Sequence, residues 1–271
     1  MQPNQSNKTI RDFGDQWAIH GHLDQDYWTS KEMFIDHFGS LFSSSEISGK
    51  RVADIGSGSG RILQMISLFN PKFLYGIEPS HGFSILEKNT KNIPNLELIN
   101  TRGEDFNIED LDLVISFGVI HHIKDPEKTL VNAFNNLREG GKIIIWVYGY
   151  EGNELYVLFQ KLFRPIIRLL PDRALDVLSS FLSFTAALYY HLLTRLHFKR
   201  FPLKDYLENV FIPCGKTQRK YITFDQLNPS YAKYYKKSEV AKLLTDAGFD
   251  NVKTFHRHGY SWTAIGTKQT T

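Results

Sequence analysis

The run Val52-Ala53-Asp54-Ile55-Gly56-Ser57-Gly58-Ser59-Gly60 constrains this chain more than any other stretch. It reads as a buried strand that breaks into a glycine turn, with an acid placed just before the first glycine. Lacking Cβ atoms, such a turn lets a ligand lie against its backbone. Its N–H groups and the N-terminus of a following helix favour a carboxylate or a phosphate, so the ligand expected is nucleotide-like. A dinucleotide turn, G-x-G-x-x-G, fits poorly. Gly60 arrives too early for it, and Arg61 stands where that pattern has glycine. The Asp54 carboxylate would repel a pyrophosphate at short range, whereas it suits an ammonium or a sulfonium.

Residues 50–150 alternate short apolar runs with amphipathic segments, which argues for a parallel sheet with helices on both faces. Ligands of such sheets lie at the carboxyl ends of the strands. That rule brings Asp54, Glu78, Glu104, Ser116 and Phe117 to one crevice, although they are far apart in the chain.

The D-x-G-x-G-x-G turn resembles motif I of the class I S-adenosylmethionine-dependent methyltransferases, and five further landmarks follow in the family's order. Phe73-Leu74-Tyr75-Gly76-Ile77-Glu78 looks like its second strand, and Gly103-Glu104-Asp105-Phe106 like its adenine loop. Asp112 to Ile123 is similar to the fourth strand and loop of the small-molecule, ubiquinone-biosynthesis type. Leu137 to Ile145 resembles the turn into the fifth strand, and Ala247 to Val252 the turn into the sixth. The resemblance implies an α/β fold: a Rossmann-like, mostly parallel seven-stranded sheet with helices on both faces, an antiparallel last strand and a helical lid insertion. It also implies S-adenosylmethionine as cofactor. Asp54 would then bind the methionine ammonium, Gly56 and Gly58 would admit the ligand to the backbone, and Glu78 would accept from the ribose hydroxyls. Glu104 or Asp105 would take the adenine amine, in a crevice shared with Ser116 and Phe117. His121, after the fourth strand, is the expected proton acceptor, and Trp17 and Tyr148 are expected on the substrate side. A nicotinamide-dependent oxidoreductase and a non-catalytic binding protein of the same fold are the rival readings.

The landmarks divide the chain into an N-terminal helical cap (1–49), a cofactor-binding core (50–150), a helical lid for the substrate (151–235) and a C-terminal return to the sheet (236–271). The aromatic side chains of cap and lid, Trp17, Trp28, Tyr148 and Tyr156 among them, point to a small apolar or aromatic acceptor. O-methylation is the first choice, and C-methylation of a quinone, polyketide or lipid-like acceptor at a membrane surface the second. With a formal net charge of +3 and no basic stripe, nucleic acid is not expected as a partner. The single cysteine, Cys214, leaves no disulfide framework or cysteine-rich metal site and leans toward the cytoplasm. Met1 to Ser6 lacks the apolar core of a signal peptide.

One stretch stands apart. From Val177 to Thr194 there is no Asp, Glu, Lys or Arg. It is read first as a buried lid helix, second as a helix giving peripheral membrane contact through 176–195, and last as a membrane span. Basic residues on both sides, Arg173 and Arg195 among them, keep the second reading open. The oligomeric state is not legible.

Overall fold

A computed structural model describes residues 5–20, 29–167, 169–227 and 231–269. Trp28 lies outside the described residues. Helices Gln5–His20 (α1) and Lys31–Phe38 (α2) precede the sheet; Ser30 caps α2, its hydroxyl accepting from the Met33 amide at 3.1 Å. The core then runs Arg51–Ile55 (β1), Arg61–Ser67 (α3), Phe73–Ile77 (β2), Phe83–Thr90 (α4), Leu96–Ile99 (β3), Leu111–Phe117 (β4), Glu127–Asn136 (α5) and Leu137–Tyr148 (β5). Glu154–Ile167 (α6), Asp172–Arg195 (α7), Lys204–Tyr206 (α8), which runs into a π turn at Leu207–Phe211, and Lys216–Leu227 (α9) form the insertion. Lys237–Asp246 (α10), Asp250–Arg257 (β6) and Ser261–Thr267 (β7) return to the sheet.

The seven strands lie in the order β3-β2-β1-β4-β5-β7-β6. β1 to β5 pair in parallel, and β7 runs antiparallel to both of its neighbours. Alternate residues of one strand serve opposite faces, and both faces are apolar. Ala53, Ile55, Val114, Ile143 and Ile145 meet Leu130 of α5 with Val240 and Leu244 of α10. Val52, Leu113, Ile115 and Ile144 meet Phe34 and Phe38 of α2 with Met65 and Ile66 of α3. The cap is therefore built into the core rather than laid over it. A buried Arg257 fixes it further, its Nε donating to the Asp36 carboxylate at 2.8 Å.

α5 stops at Asn136, short of Gly140-Gly141, because Leu137 is already extended and pairs with Leu111. One expectation changes. The charge-free stretch is not a buried helix. It forms most of α7, whose inner stripe (Leu175, Leu178, Leu182) packs on Phe224 and Leu227 of α9 while its other side faces solvent.

Candidate active site

The carboxyl ends of β1, β2 and β4, roofed by α1 and α9, enclose a cavity. On its floor is the glycine turn. A Cβ at Gly56, where φ is +77°, would stand 2.3 Å from Val119, and one at Gly58 would touch the Trp17 ring at 3.1 Å. Glycine is thus required by backbone and by space at Gly56, and Gly58 holds Trp17 over the turn.

Two acids flank the turn: Glu78 lines the cavity, whereas Asp54 lies just behind its lining. Glu78 is buried; its Oε2 accepts from the Gly58 amide at 2.8 Å and its Oε1 from the Ser80 amide at 2.9 Å. Such bonds orient the carboxylate and leave further lone pairs for a diol. Asp54 is buried at the end of β1, and neither of its carboxylate oxygens has a partner among the described residues. Burial is the largest influence on it and carries its pKa up to about 7, with Glu78 pushing the same way and Ser57 and Arg61 opposing. An unpaired buried carboxylate costs free energy unless a cation reaches it. The ammonium of an amino-acid group supplies one.

Glu104 also lines the cavity and is held by Arg102 at 3.3 Å. Asp105 is exposed and borders a separate surface cleft with Lys128 and Asn132. Ser116 is fully buried and donates to the Ile55 carbonyl at 3.1 Å, tying β4 to β1. Phe117 lines the cavity and stacks on His37, their ring centres 5.0 Å apart.

On the acceptor side the pair His121-His122 divides differently from the sequence expectation. His122 lines the cavity, and its Nδ1–H donates to the Tyr231 carbonyl at 2.8 Å, which leaves Nε2 as the basic nitrogen of the neutral ring. His121 lies behind the wall with no exposure, packed on Tyr148 with ring centres 4.0 Å apart. Neither of its ring nitrogens has a hydrogen-bond partner among the described residues, and burial, with His122 alongside, holds its pKa well below the ordinary value. Tyr148 lines the cavity and donates to Asp225 at 3.3 Å; burial and that carboxylate push its pKa well above the ordinary value.

The sequence reading missed Asp225, Gln16 and Arg61. Asp225 of α9 accepts from Gln16 of α1 at 2.9 Å, closing the roof. Arg61 lines the cavity and feels Asp54, Arg257, Cys214 and Asp225; burial lowers its pKa to about 10. Its place after Gly60 was the available signal, since a residue there opens α3 beside the turn.

Comparisons with known proteins agree with this geometry. A family model described as a methyltransferase domain matches residues 53–145. The tRNA U34 carboxymethyltransferase of Desulfotalea psychrophila is 32% identical over 120 residues, 42% of this chain and 37% of that protein. Its counterpart in Pseudoalteromonas atlantica is 32% identical over 148 residues, 52% of this chain and 44% of that protein. The chain thus spans less than half the length of these relatives. Magnesium protoporphyrin IX methyltransferase of Synechocystis PCC 6803 shares the fold, with a TM-score of 0.56 at 12% identity over 97% of this chain and all (100%) of that one.

These relatives correct one expectation. A small-molecule acceptor with nucleic acid excluded does not stand, because the curated relatives are named for a tRNA nucleotide. A net charge of +3 is a sum over the whole chain and says nothing of where its 32 cations lie. The glycine turn with Asp54 and Glu78 lies within residues 53–145, the stretch that matches a methyltransferase domain.

Proposed function

We propose that the chain transfers the methyl group of S-adenosylmethionine to a nucleobase of RNA, with tRNA as the acceptor. The observation that carries the donor half is the buried, unpartnered Asp54 carboxylate beside the amide-held Glu78, both at the glycine turn. In this reading Asp54 holds the methionine ammonium, Glu78 the ribose hydroxyls and Glu104 the adenine amine, with Trp17 closing over the turn. Bound there, S-adenosylmethionine supplies an electrophilic sulfonium methyl.

The acceptor half rests on the opposite wall and on the relatives. Trp146, Tyr148, Tyr206 and Tyr221 line the cavity, and aromatic rings of this kind stack a base taken out of its strand. His122 lines the same space and would take the proton displaced by methylation. Tyr148, its phenol kept protonated and its one proton held by Asp225, would accept from an N–H of the base. Arg61 adds a positive group, and the exposed Lys8 and Arg11 of α1 and Lys216 of α9 suit phosphates near the roof. The matched domain ends at residue 145, before the insertion. These four aromatic side chains lie outside it, and a tRNA acceptor, which the relatives' names suggest, is the reason to expect the protein in the cytoplasm.

The test is transfer from methyl-tritiated S-adenosylmethionine to bulk tRNA, followed by digestion to nucleosides. Label in one nucleoside, lost in Glu78→Ala, is the expected result. Unlabelled tRNA beside labelled lipid or metabolite from the same extract would overturn the acceptor and leave the donor in place.

A further inference from the structure

Apolar side chains exposed to solvent cluster on one part of this molecule. On α7, Val177, Phe181, Phe184, Leu188 and Leu192 recur at helical spacing and stand 68%, 62%, 66%, 54% and 52% exposed. Leu155, Leu158 and Leu162 make a similar exposed row on α6. Single exposed apolar residues are ordinary, but a contiguous patch on this scale marks a surface that something covers. α7 is also the one described helix long and apolar enough to cross a membrane.

The charges around the patch say what fits it. Along α7 no charged residue interrupts the apolar row between Val177 and Thr194. Arg173 stands exposed before it, and Arg195, Lys199 and Arg200 stand exposed after it. No Asp or Glu occurs from 177 to 204. The fringe after the row, from Arg195 to Arg200, holds no acid, and at the other end Asp176 is taken by Lys220. Anionic headgroups answer the fringe while acyl chains receive the phenylalanines and leucines. A span is disfavoured by the other side of α7: Leu175, Leu178 and Leu182 lie on Phe224 and Leu227 of α9, and crossing the bilayer would strip them from it.

We propose that the exposed face of α7 docks the protein on the surface of an anionic lipid bilayer, lying in the interface rather than crossing it. The docking rests on this face alone and does not depend on which acceptor the cavity takes. Through α9, which carries Tyr221 and Asp225 on the cavity wall, the docked helix sits next to the lid of the site.

Flotation of the full chain with phosphatidylcholine vesicles, with and without phosphatidylglycerol, tests this. The wild type is expected to float with the anionic vesicles and to be released as salt rises. Phe181→Ser with Leu188→Ser should weaken partitioning about tenfold or more, since two large apolar groups are lost from the buried face. Arg195→Glu with Lys199→Glu should abolish the preference for anionic vesicles without touching the apolar row. This second variant keeps the test decisive if the first does not fold. Retained S-adenosylhomocysteine binding in either variant shows that the site is intact. Failure of the folded wild type to float with either vesicle, or equal binding to both at all salt concentrations, would overturn the proposal. A concentration-dependent dimer removed by Phe181→Ser with Leu188→Ser, in a protein that ignores vesicles, would assign the face to a second copy instead.

Discussion

Gln16 and Asp225, 209 positions apart, are joined at 2.9 Å across the roof of the cavity. The same carboxylate receives the Tyr148 phenol at 3.3 Å, so one side chain of the insertion holds both the N-terminal cover and the acceptor wall. Asp225→Ala should therefore raise KM for the acceptor and lower kcat, by about tenfold each for hydrogen bonds to a charged group. Asp225→Asn keeps one oxygen acceptor and should recover part of the loss. Steady-state kinetics with both substrates varied separates this from a purely structural effect, which would appear first in the melting temperature.

The adjacent histidines should behave in opposite ways. His122→Ala is expected to lower turnover by about a hundredfold, the usual scale of a positioned proton acceptor, with little change in cofactor affinity. His121→Leu should leave turnover near wild type and stability unchanged or improved. Its ring nitrogens are buried without partners, and replacing an unsatisfied polar group by an apolar one removes a desolvation cost. Single-turnover kinetics and thermal melts read the two effects.

Gly56→Ala should cost about 2 kcal/mol or more and abolish cofactor binding. The residue sits at φ +77°, and its added Cβ would meet Val119 at 2.3 Å. Thermal denaturation with and without S-adenosylhomocysteine checks both halves of the expectation.

Much of the fold could be read from the chain because apolar runs, glycine turns and acids recur in one order. The strand sequence Val52 to Ile55 is buried on both faces, and only a doubly covered sheet accommodates it. What could not be read depends on which neighbour covers which side. An apolar stretch such as 177–194 announces a face to be covered, not whether α9 covers all of it. His121 and His122 are adjacent, and a short 3-10 turn at Ile120–His122, invisible to periodicity, decides which ring enters the cavity. Gln16 and Asp225 meet only after the sheet has folded between them. The nucleic-acid expectation was overturned by the relatives' names, because a whole-chain charge sum is blind to where the cations lie.

Asp54 makes cofactor affinity a function of pH. Its folded pKa is raised from 3.8 to about 7, so its contribution to the stability of the free protein is full below 3.8 and lost as pH rises through about 7. An ammonium partner needs the carboxylate ionised, and binding below about 7 must release a proton. Affinity for S-adenosylhomocysteine should thus fall about tenfold per pH unit below about 7 and level off above it. In Asp54→Asn the slope should vanish and the plateau drop. Calorimetry in buffers of different ionisation enthalpy counts the proton directly.

Whether the glycine turn and its two acids hold S-adenosylmethionine is read by calorimetric titration of the purified chain with S-adenosylhomocysteine, beside Glu78→Ala. One site is expected, with a Kd of about 100 μM or tighter, about −5.5 kcal/mol, weakened at least tenfold in Glu78→Ala through the lost charged hydrogen bonds. A folded wild type that gives no heat, or a Glu78→Ala variant that binds as tightly as the wild type, would contradict it.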